Sequence, residues 1–593
     1  MAMKSIVGLL EYVKEGWKIN IRLIDYVNEP HCNCTMSYIA NSIYALFNRV
    51  AAIQDADAVE RIPPVNPDCP PRLILKDGEK APRVLIIGGG LAGMSAALEL
   101  SERGFEVVIR EANPILGGRL DSKKTQPLLP LDPTEFYADH GFHAWFVNSY
   151  HQFGDIINRL GLNDQLQAWE KTDIVFRNYN AEAIVSQGPY PLNLINVLRT
   201  STNMNYLTSL RIMGIATDSA FYDYSKIYED WDEYSVEEWA EKRGIDKAYY
   251  DIVVKPVGAV TLSKVQGFSA AEMQNMMQIF FLAGPGADVR FTTKQSFYKS
   301  LLEPWRNRLL QNGVRIERSK PVKALRMQDG VCEGIDGEPE TYDYTIMAAD
   351  LPGAKSILEG TVDACMDKKS GTLATKLREP VSKCKIAPPY KILKVWLKGL
   401  LPADKYPAII ETPEHSPLNE IVQYHMLQDE YKEFAAEKGI GCWEFHLYAL
   451  EDKEWSSFTE AKDVWKKLAP IVHEIVPEMA DFEVRGYHMN QYENFPDFSK
   501  GQHKFRPQYS APSSIGIKKL VMAGDWLQTS FPSFIMERAV STGRLAANEV
   551  LREYGVREVE LRVVSSYGPG LAAVGRKWIA GLTAKWWGTG KSA

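Results

Sequence analysis

Residues suited to holding a phosphate come early in this chain. The run Val84-Leu85-Ile86-Ile87-Gly88-Gly89-Gly90-Leu91-Ala92-Gly93 places three glycines directly after an apolar, β-branched segment. In that spacing Gly88 permits a tight turn, Gly90 lets the backbone approach a pyrophosphate, and Gly93 lets helix and strand pack closely. An acid, Glu111, follows 23 residues after Gly88 (111 − 88), near the spacing for gripping a ribose hydroxyl. A purely structural glycine turn is the plain alternative. Gly117-Gly118-Arg119 offers a second approach to phosphate through charge-assisted bonds from Arg119, or a turn with a solvated arginine. Far downstream, Ala523-Gly524-Asp525-Trp526 repeats the theme. Gly524 allows close approach, and Asp525 can accept a bond from a ribityl or ribose hydroxyl, or merely cap its turn. Between these segments lies Asp139-His140-Gly141-Phe142-His143-Ala144-Trp145-Phe146. His140 and His143 suit a pocket wall, and they suit hydrogen-bonded packing equally well.

These residues need rigid elements to position them. Val84–Ile87 reads as a strand and Leu91–Arg103 as a helix ended by Gly104. Val107–Ile109 reads as a second strand. Strand, glycine turn, helix, strand, acid is the order of a dinucleotide-binding βαβ unit, with the anion at the helix N-terminus. Leu520–Met522 reads as another strand, followed by a helix from Phe534 with small residues on one face.

The chain has 593 residues, too many for one core. Its net charge of −7 argues against a general nucleic-acid binder. Seven scattered cysteines, 32, 34, 69, 332, 365, 384 and 442, point to a reducing compartment rather than a disulfide framework. Cys32 and Cys34 lack a second pair, so no metal site is expected. No apolar run approaches the ~20 residues of a membrane span, and Glu11, Lys14 and Glu15 interrupt the first apolar stretch. A cytoplasmic protein is expected, with peripheral membrane attachment open. Ser5–Val27 and Met36–Ile53 read as amphipathic helices, and prolines crowd residues 61–82. From Ser149 to about Gln278 the pattern is mostly helical: Tyr150–Leu160, Val236–Arg243 and Ser269–Phe281. Glu303–Asn312 reads as a helix. Gly313–Ile316, Val322–Met327 and Tyr344–Asp350 read as a return of strands. Tyr390–Leu397 and Gly441–Leu450 suggest an antiparallel sheet, with Thr459–Val472 a helix. In residues 571–587, Leu571, Val574, Trp578, Leu582 and Trp586 recur at helical spacing beside Arg576, Lys577 and Lys585. That mixture suits an interfacial membrane helix or a terminal helix docked on the body.

The two motifs, Gly88–Glu111 and Gly524–Gly543, resemble the flavin-dependent amine-oxidase and phytoene-desaturase superfamily. The segments His140–Phe146, Tyr492-Glu493-Asn494-Phe495, Phe531-Pro532 and Met536-Glu537-Arg538-Ala539 look most like the carotenoid ring desaturase/methyltransferases (isorenieratene-synthase-like enzymes). The resemblance covers about residues 80–555. It implies an α/β fold: a Rossmann-like (GR2-type) FAD-binding domain with an inserted α+β substrate domain and helical terminal extensions. The implied division is an N-terminal extension and linker (1–80), FAD-binding segments 81–148, 301–360 and 491–555, a helical lid region (149–300), a substrate domain (361–490) and a tail (556–593). Gly88, Gly90, Gly93, Glu111 and Arg119 would hold the ADP half of FAD. Val322 would offer a backbone contact to adenine, and Gly524 and Asp525 would hold the ribityl–pyrophosphate. Met536 and Arg538 would lie near the flavin ring. The implied activity is desaturation or isomerisation of a long apolar isoprenoid, such as a carotenoid, by hydride transfer to flavin. The resulting cation loses a proton or first shifts a methyl group. His140, His143 and Glu537 are the polar groups to test as proton acceptors. An external acceptor, quinone or oxygen, would reoxidise the flavin, because no second nucleotide unit is evident. A soluble amine or amino-acid oxidase is the alternative, and a non-catalytic flavin-bound scaffold or lipid carrier is a third.

Overall fold

The computed structural model describes residues 59–125, 134–169, 171–185, 201–203, 222–245, 247–256, 261–262, 267–283, 287 and 289–568. The expected N-terminal helices, the Cys32/Cys34 pair and the tryptophan-bearing stretch 571–587 lie outside these residues. Among the described residues no helix is long and apolar enough to cross a membrane.

Five parallel strands form one sheet in the order Arg315–Glu317, Glu106–Arg110, Arg83–Ile87, Tyr344–Met347, Leu520–Met522. By chain order this is 3-2-1-4-5, with the order reversing beside Arg83–Ile87. Ligands of such sheets bind at the carboxyl ends of the strands next to that switch point. Val84–Ile87 of that strand are apolar and buried because both its faces are covered. Val84 and Ile86 enter one core with Met94 and Leu98 of the helix Leu91–Ser101. Leu85 and Ile87 enter a second core with Leu351, Ala354 and Ile357 of the helix Leu351–Ala364. The helix Ile535–Glu553 lies against Leu91–Ser101, and only a glycine fits at the crossing. A Cβ on Gly543 would stand 2.2 Å from the Ala92 carbonyl oxygen.

A second sheet has seven strands, in the order Glu483–Tyr492, Tyr390–Lys398, Ile440–Leu447, Leu418–Gln423, Ile409–Glu411, Lys171–Ile174, Glu182–Val185. All its pairings are antiparallel except Ile409–Glu411 with Lys171–Ile174. The two strands from the 149–300 stretch correct the expectation of a mostly helical region there. So do Leu166–Trp169 and Arg290–Thr293, which pair with each other. Each is only four residues long. Four residues are too few to show a period, and distant partners make them strands. The three expected helices do form, over His151–Arg159, Val236–Lys242 and Ala270–Met277.

Candidate functional site

One cavity of about 830 Å³ joins the two sheets. At one end it is lined by Gly88, Gly90, Glu111, Arg119, Val322, Gly524, Asp525 and Met536. At the other it is lined by Phe142, Trp169, Phe280, Phe281, Ile392 and Ile409. The first end is built by the glycine turn. Gly88 has φ +109, where side chains are strained. Gly93 does not line the cavity: a Cβ there would stand 2.0 Å from the Gly88 carbonyl oxygen, so it serves helix–strand packing. Gly90 caps the helix Leu91–Ser101 in extended backbone, with no side-chain cap. The first N–H groups of that helix are thus free of side-chain acceptors, the arrangement that attracts an anion.

Glu111 is anchored by the backbone. Its Oε2 accepts from the Gly89 N–H at 2.7 Å and its Oε1 from the Asn113 N–H at 2.7 Å. Arg119 donates to Asp525 Oδ1 at 2.5 Å and lies over the Phe495 ring. Burial opposes the Arg119 charge, but Asp525 outweighs burial and raises its pKa. Its Nη1 is buried with no hydrogen-bond partner. A buried guanidinium nitrogen left without a partner, an uncapped helix end and an open glycine together fit a dinucleotide pyrophosphate. Asp350 also lines the cavity, caps the helix Leu351–Ala364 through the Gly353 N–H, and has its pKa raised by burial.

Both expected histidines reach the cavity wall; both ring nitrogens of His140 are engaged, and so is Nδ1 of His143. His140 Nε2 pairs with the Tyr390 hydroxyl at 2.8 Å and Nδ1 with Asp121 at 3.3 Å. Its ring stacks on Tyr492 with centroids 3.6 Å apart. His143 Nδ1 lies 2.6 Å from the Gly141 carbonyl oxygen. Burial lowers the His140 pKa, and burial plus the neighbouring His140 takes His143 down to about 4. Both rings are therefore neutral at pH 7.

Glu537 requires a correction. It does not line the cavity. Its carboxyl accepts from the Gln152 and Phe153 N–H groups at 2.8 and 3.0 Å, at the start of the helix His151–Arg159. The helix face decided this: Met536 turns to the cavity and Glu537 turns the other way. Burial lifts the Glu537 pKa to about 8. Arg538 also faces away, bonding Glu272 at 3.2 Å and the Ser533 carbonyl oxygen. Glu537→Gln is expected to keep FAD content and turnover within about twofold of wild type. It should lower unfolding free energy by about 1–2 kcal/mol through one poorly satisfied N–H. Flavin absorbance, kcat and a urea midpoint check this, and a large kcat loss at full FAD content would return Glu537 to the chemistry.

Sequence reading missed a polar ladder on the cavity face of the seven-stranded sheet. Lys394 stands opposite Glu444, His446 opposite Glu420, and Glu420 opposite Glu411. Lys394 Nζ lies 2.5 Å from Glu444 Oε2. His446 bonds Glu444 at 2.6 Å and Glu420 at 3.1 Å. Glu444 Oε1 also accepts the Phe142 N–H at 2.7 Å. Burial opposes both charges, but Lys394 and His446 hold Glu444 at about 2, and Glu420 and Glu444 lift His446 to about 9. The signal was present in Cys442-Trp443-Glu444-Phe445-His446-Leu447. Alternation puts Glu444 and His446 on one face of an otherwise apolar strand.

Fold and site together define a flavin-dependent oxidoreductase with FAD as its cofactor. The chain matches the family model "Flavin containing amine oxidoreductase" over residues 91–551, and it belongs to that family. It is 24% identical to the carotenoid phi-ring synthase of Chlorobaculum tepidum, covering 82% of this chain and 91% of that protein. The carotenoid phi-ring synthase of Streptomyces griseus is also 24% identical, with the same coverage. The 15-cis-phytoene desaturase of Narcissus pseudonarcissus is 22% identical over 80% of each chain. Among solved structures, a putrescine oxidase shares the fold at TM-score 0.56 and 14% identity, covering 80% of this chain and 100% of that one. An oxidoreductase from Methanosarcina mazei does so at TM-score 0.55 and 16% identity, covering 79% and 100%.

Proposed function

We propose that this chain acts on a long apolar carotenoid, desaturating it with a quinone or oxygen as final electron acceptor, or isomerising it with no net transfer of electrons. The observation that carries this reading is the continuous cavity, which runs from the glycine turn into an aromatic and aliphatic compartment. The similarity to phi-ring synthases over 91% of their length supports the same substrate class. Gly88, Gly90, Glu111, Arg119, Val322, Gly524 and Asp525 would hold FAD, with Met536 beside them and Gly93 supporting the turn. When bound, FAD supplies a hydride acceptor. The chain's residues orient the polyene: Phe142, Trp169, Phe280 and Phe281 present ring faces and edges to it. His140 and His143, neutral and engaged, shape the wall between the two ends. Peripheral membrane contact through 571–587 would suit a substrate dissolved in lipid.

The test is anaerobic mixing of the FAD-loaded protein with β-carotene or lycopene in detergent micelles. Flavin absorbance should bleach, return on adding a soluble quinone, and leave a product lacking pairs of hydrogens by mass spectrometry. Glu411 and Glu420 in the cavity are the feature that favours an amine oxidase, since acids attract ammonium groups. If amines bleach the flavin and release peroxide while carotenoids leave it oxidised, the carotenoid reading falls.

A further inference from the structure

We propose that Glu411 is the proton acceptor of this oxidation, held in place by a ladder of cross-strand partners that ends at its carboxyl. The inference rests on the carotenoid reading above.

Glu411 closes the strand Ile409–Glu411 and lines the cavity beside Ile409 and Pro413. Its neighbours are fixed by register. Glu420 is its direct cross-strand partner and also lines the cavity. His446 pairs with Glu420 in turn, and Tyr448 Oη lies 2.5 Å from His446 Nδ1. On the other side Ile174 is its partner, with Thr172 along the same face. Every other acid and base of the ladder has a protein partner. Among the described residues the Glu411 carboxyl has no hydrogen-bond partner, although it shares a largely apolar cavity. A carboxyl so placed is available to something that enters the cavity.

The charged groups facing it are Glu420 from the neighbouring strand and Arg290 from the strand Arg290–Thr293. Burial first, and Glu420 second, lift its pKa to about 7, against a smaller opposing pull from Arg290. A group titrating there is a proton acceptor when ionised and can release the proton again near neutral pH. Lone carboxylates beside apolar surface behave this way when desolvation dominates.

Converting a CH–CH unit to C=C removes one hydride and one proton. Bound FAD would supply the acceptor for the hydride, which carries both electrons of its C–H bond. The second C–H bond then breaks. Its electron pair forms the new C=C, and its proton passes to a Glu411 carboxylate oxygen, giving the carboxylic acid. Release of that proton to water resets the site. The same acceptor serves a cation that has first shifted a methyl group.

Glu411→Gln keeps size and removes the acceptor. With β-carotene in micelles, the variant should keep its FAD and its KM while kcat falls about 10²–10⁴-fold. Wild-type kcat should rise with pH through about 7, and this limb should vanish in Glu411→Gln. A readout independent of turnover is the infrared carboxyl band of the protein between pH 5 and 9. A protonated-carboxyl signal lost with a midpoint near 7 should be present in wild type and absent in Glu411→Gln. Wild-type turnover matched within about twofold by Glu411→Gln, with the same pH profile, overturns this proposal alone. A wild-type protein that oxidises no carotenoid overturns the substrate reading and this proposal with it. Glu411→Asp, which restores a carboxyl at shorter reach, should recover part of kcat, and no recovery argues for a structural role.

Discussion

Gly90→Val is expected to give a folded protein that binds FAD about 10–100-fold more weakly and sheds it on gel filtration. Gly90 sits at φ −79 and ψ −174, extended backbone that any residue adopts. A Cβ there would meet no atom closer than Gly118 Cα at 3.8 Å. The protein alone therefore has room for the side chain, and the space it fills is the cavity in front of the helix Leu91–Ser101. Placing two methyls there costs about 1–3 kcal/mol of binding by overpacking, or about 10–100-fold in Kd for FAD. Gly93→Ala provides the contrast. Its Cβ would lie 2.0 Å from the Gly88 carbonyl oxygen, a backbone atom at the centre of the turn. Relief requires moving helix or strand, so stability itself should fall, by about 3 kcal/mol. Flavin absorbance per protein after gel filtration, and melting with and without added FAD, separate the two. Without FAD, Gly90→Val should melt like the FAD-free wild type and it should gain less than wild type from the same added FAD, whereas Gly93→Ala should melt lower under both conditions. A Gly90→Val protein that purifies with one FAD per chain would remove the glycine turn from the cofactor site.

The contrast between those two glycines marks what the chain discloses by itself. The turn was legible because its demands are local. Strand, glycines, helix and acid lie within thirty residues, and each residue type has a steric or electrostatic reason at its position. Asp525 was legible for the same reason, as an acid directly after a glycine at a strand end. Arg119 was read as a cofactor contact too, but its pairing with Asp525 across 406 residues was not legible. No period connects them, and only the closing of the parallel sheet brings them together. The strands Lys171–Ile174 and Glu182–Val185 were hidden because four residues carry no period of their own. Glu537 shows a different loss. Its neighbour Met536 faces the cavity, and one step along a helix rotates a side chain by about 100°, so adjacency in sequence placed Glu537 at the wrong surface. The ladder from Lys394 to Glu411 was half visible. Alternation in Cys442–Leu447 reveals acids and bases on one face of a buried strand. The register that sets Lys394 opposite Glu444 and Glu420 opposite Glu411 is a property of the assembled sheet.

That ladder carries a large expected stability effect. Lys394 and Glu444 are 1% and 0% exposed, and the ammonium also sits over the Tyr424 ring at 3.1 Å. Lys394→Met should destabilise by about 3–5 kcal/mol, because Glu444 is left buried without its main cation. Glu444→Gln should cost a similar amount while still accepting the Phe142 N–H. The double variant should cost less than the two single losses combined, with a coupling of about 0.5–3 kcal/mol. Urea midpoints measure all three, and simple additivity would show that the ion pair contributes nothing. The pH dependence has a definite sign. Glu444 is held at about 2, below its ordinary value of 4.5, so its contribution is present above pH 4.5 and fades as pH falls toward 2. His446 is lifted to about 9, so its contribution is full below pH 6.5 and is lost as pH rises through 9. Wild type should therefore lose stability between pH 6.5 and 9.5, and Glu444→Gln should lose less over that range, because one of the two acids holding the His446 charge is gone. The same carboxylate anchors Phe142, two residues from His140 and one from His143. Loss of Lys394 should thus loosen the cavity wall before the sheet unfolds. In Lys394→Met, urea should then release FAD ahead of the global transition, whereas in wild type the two events should coincide.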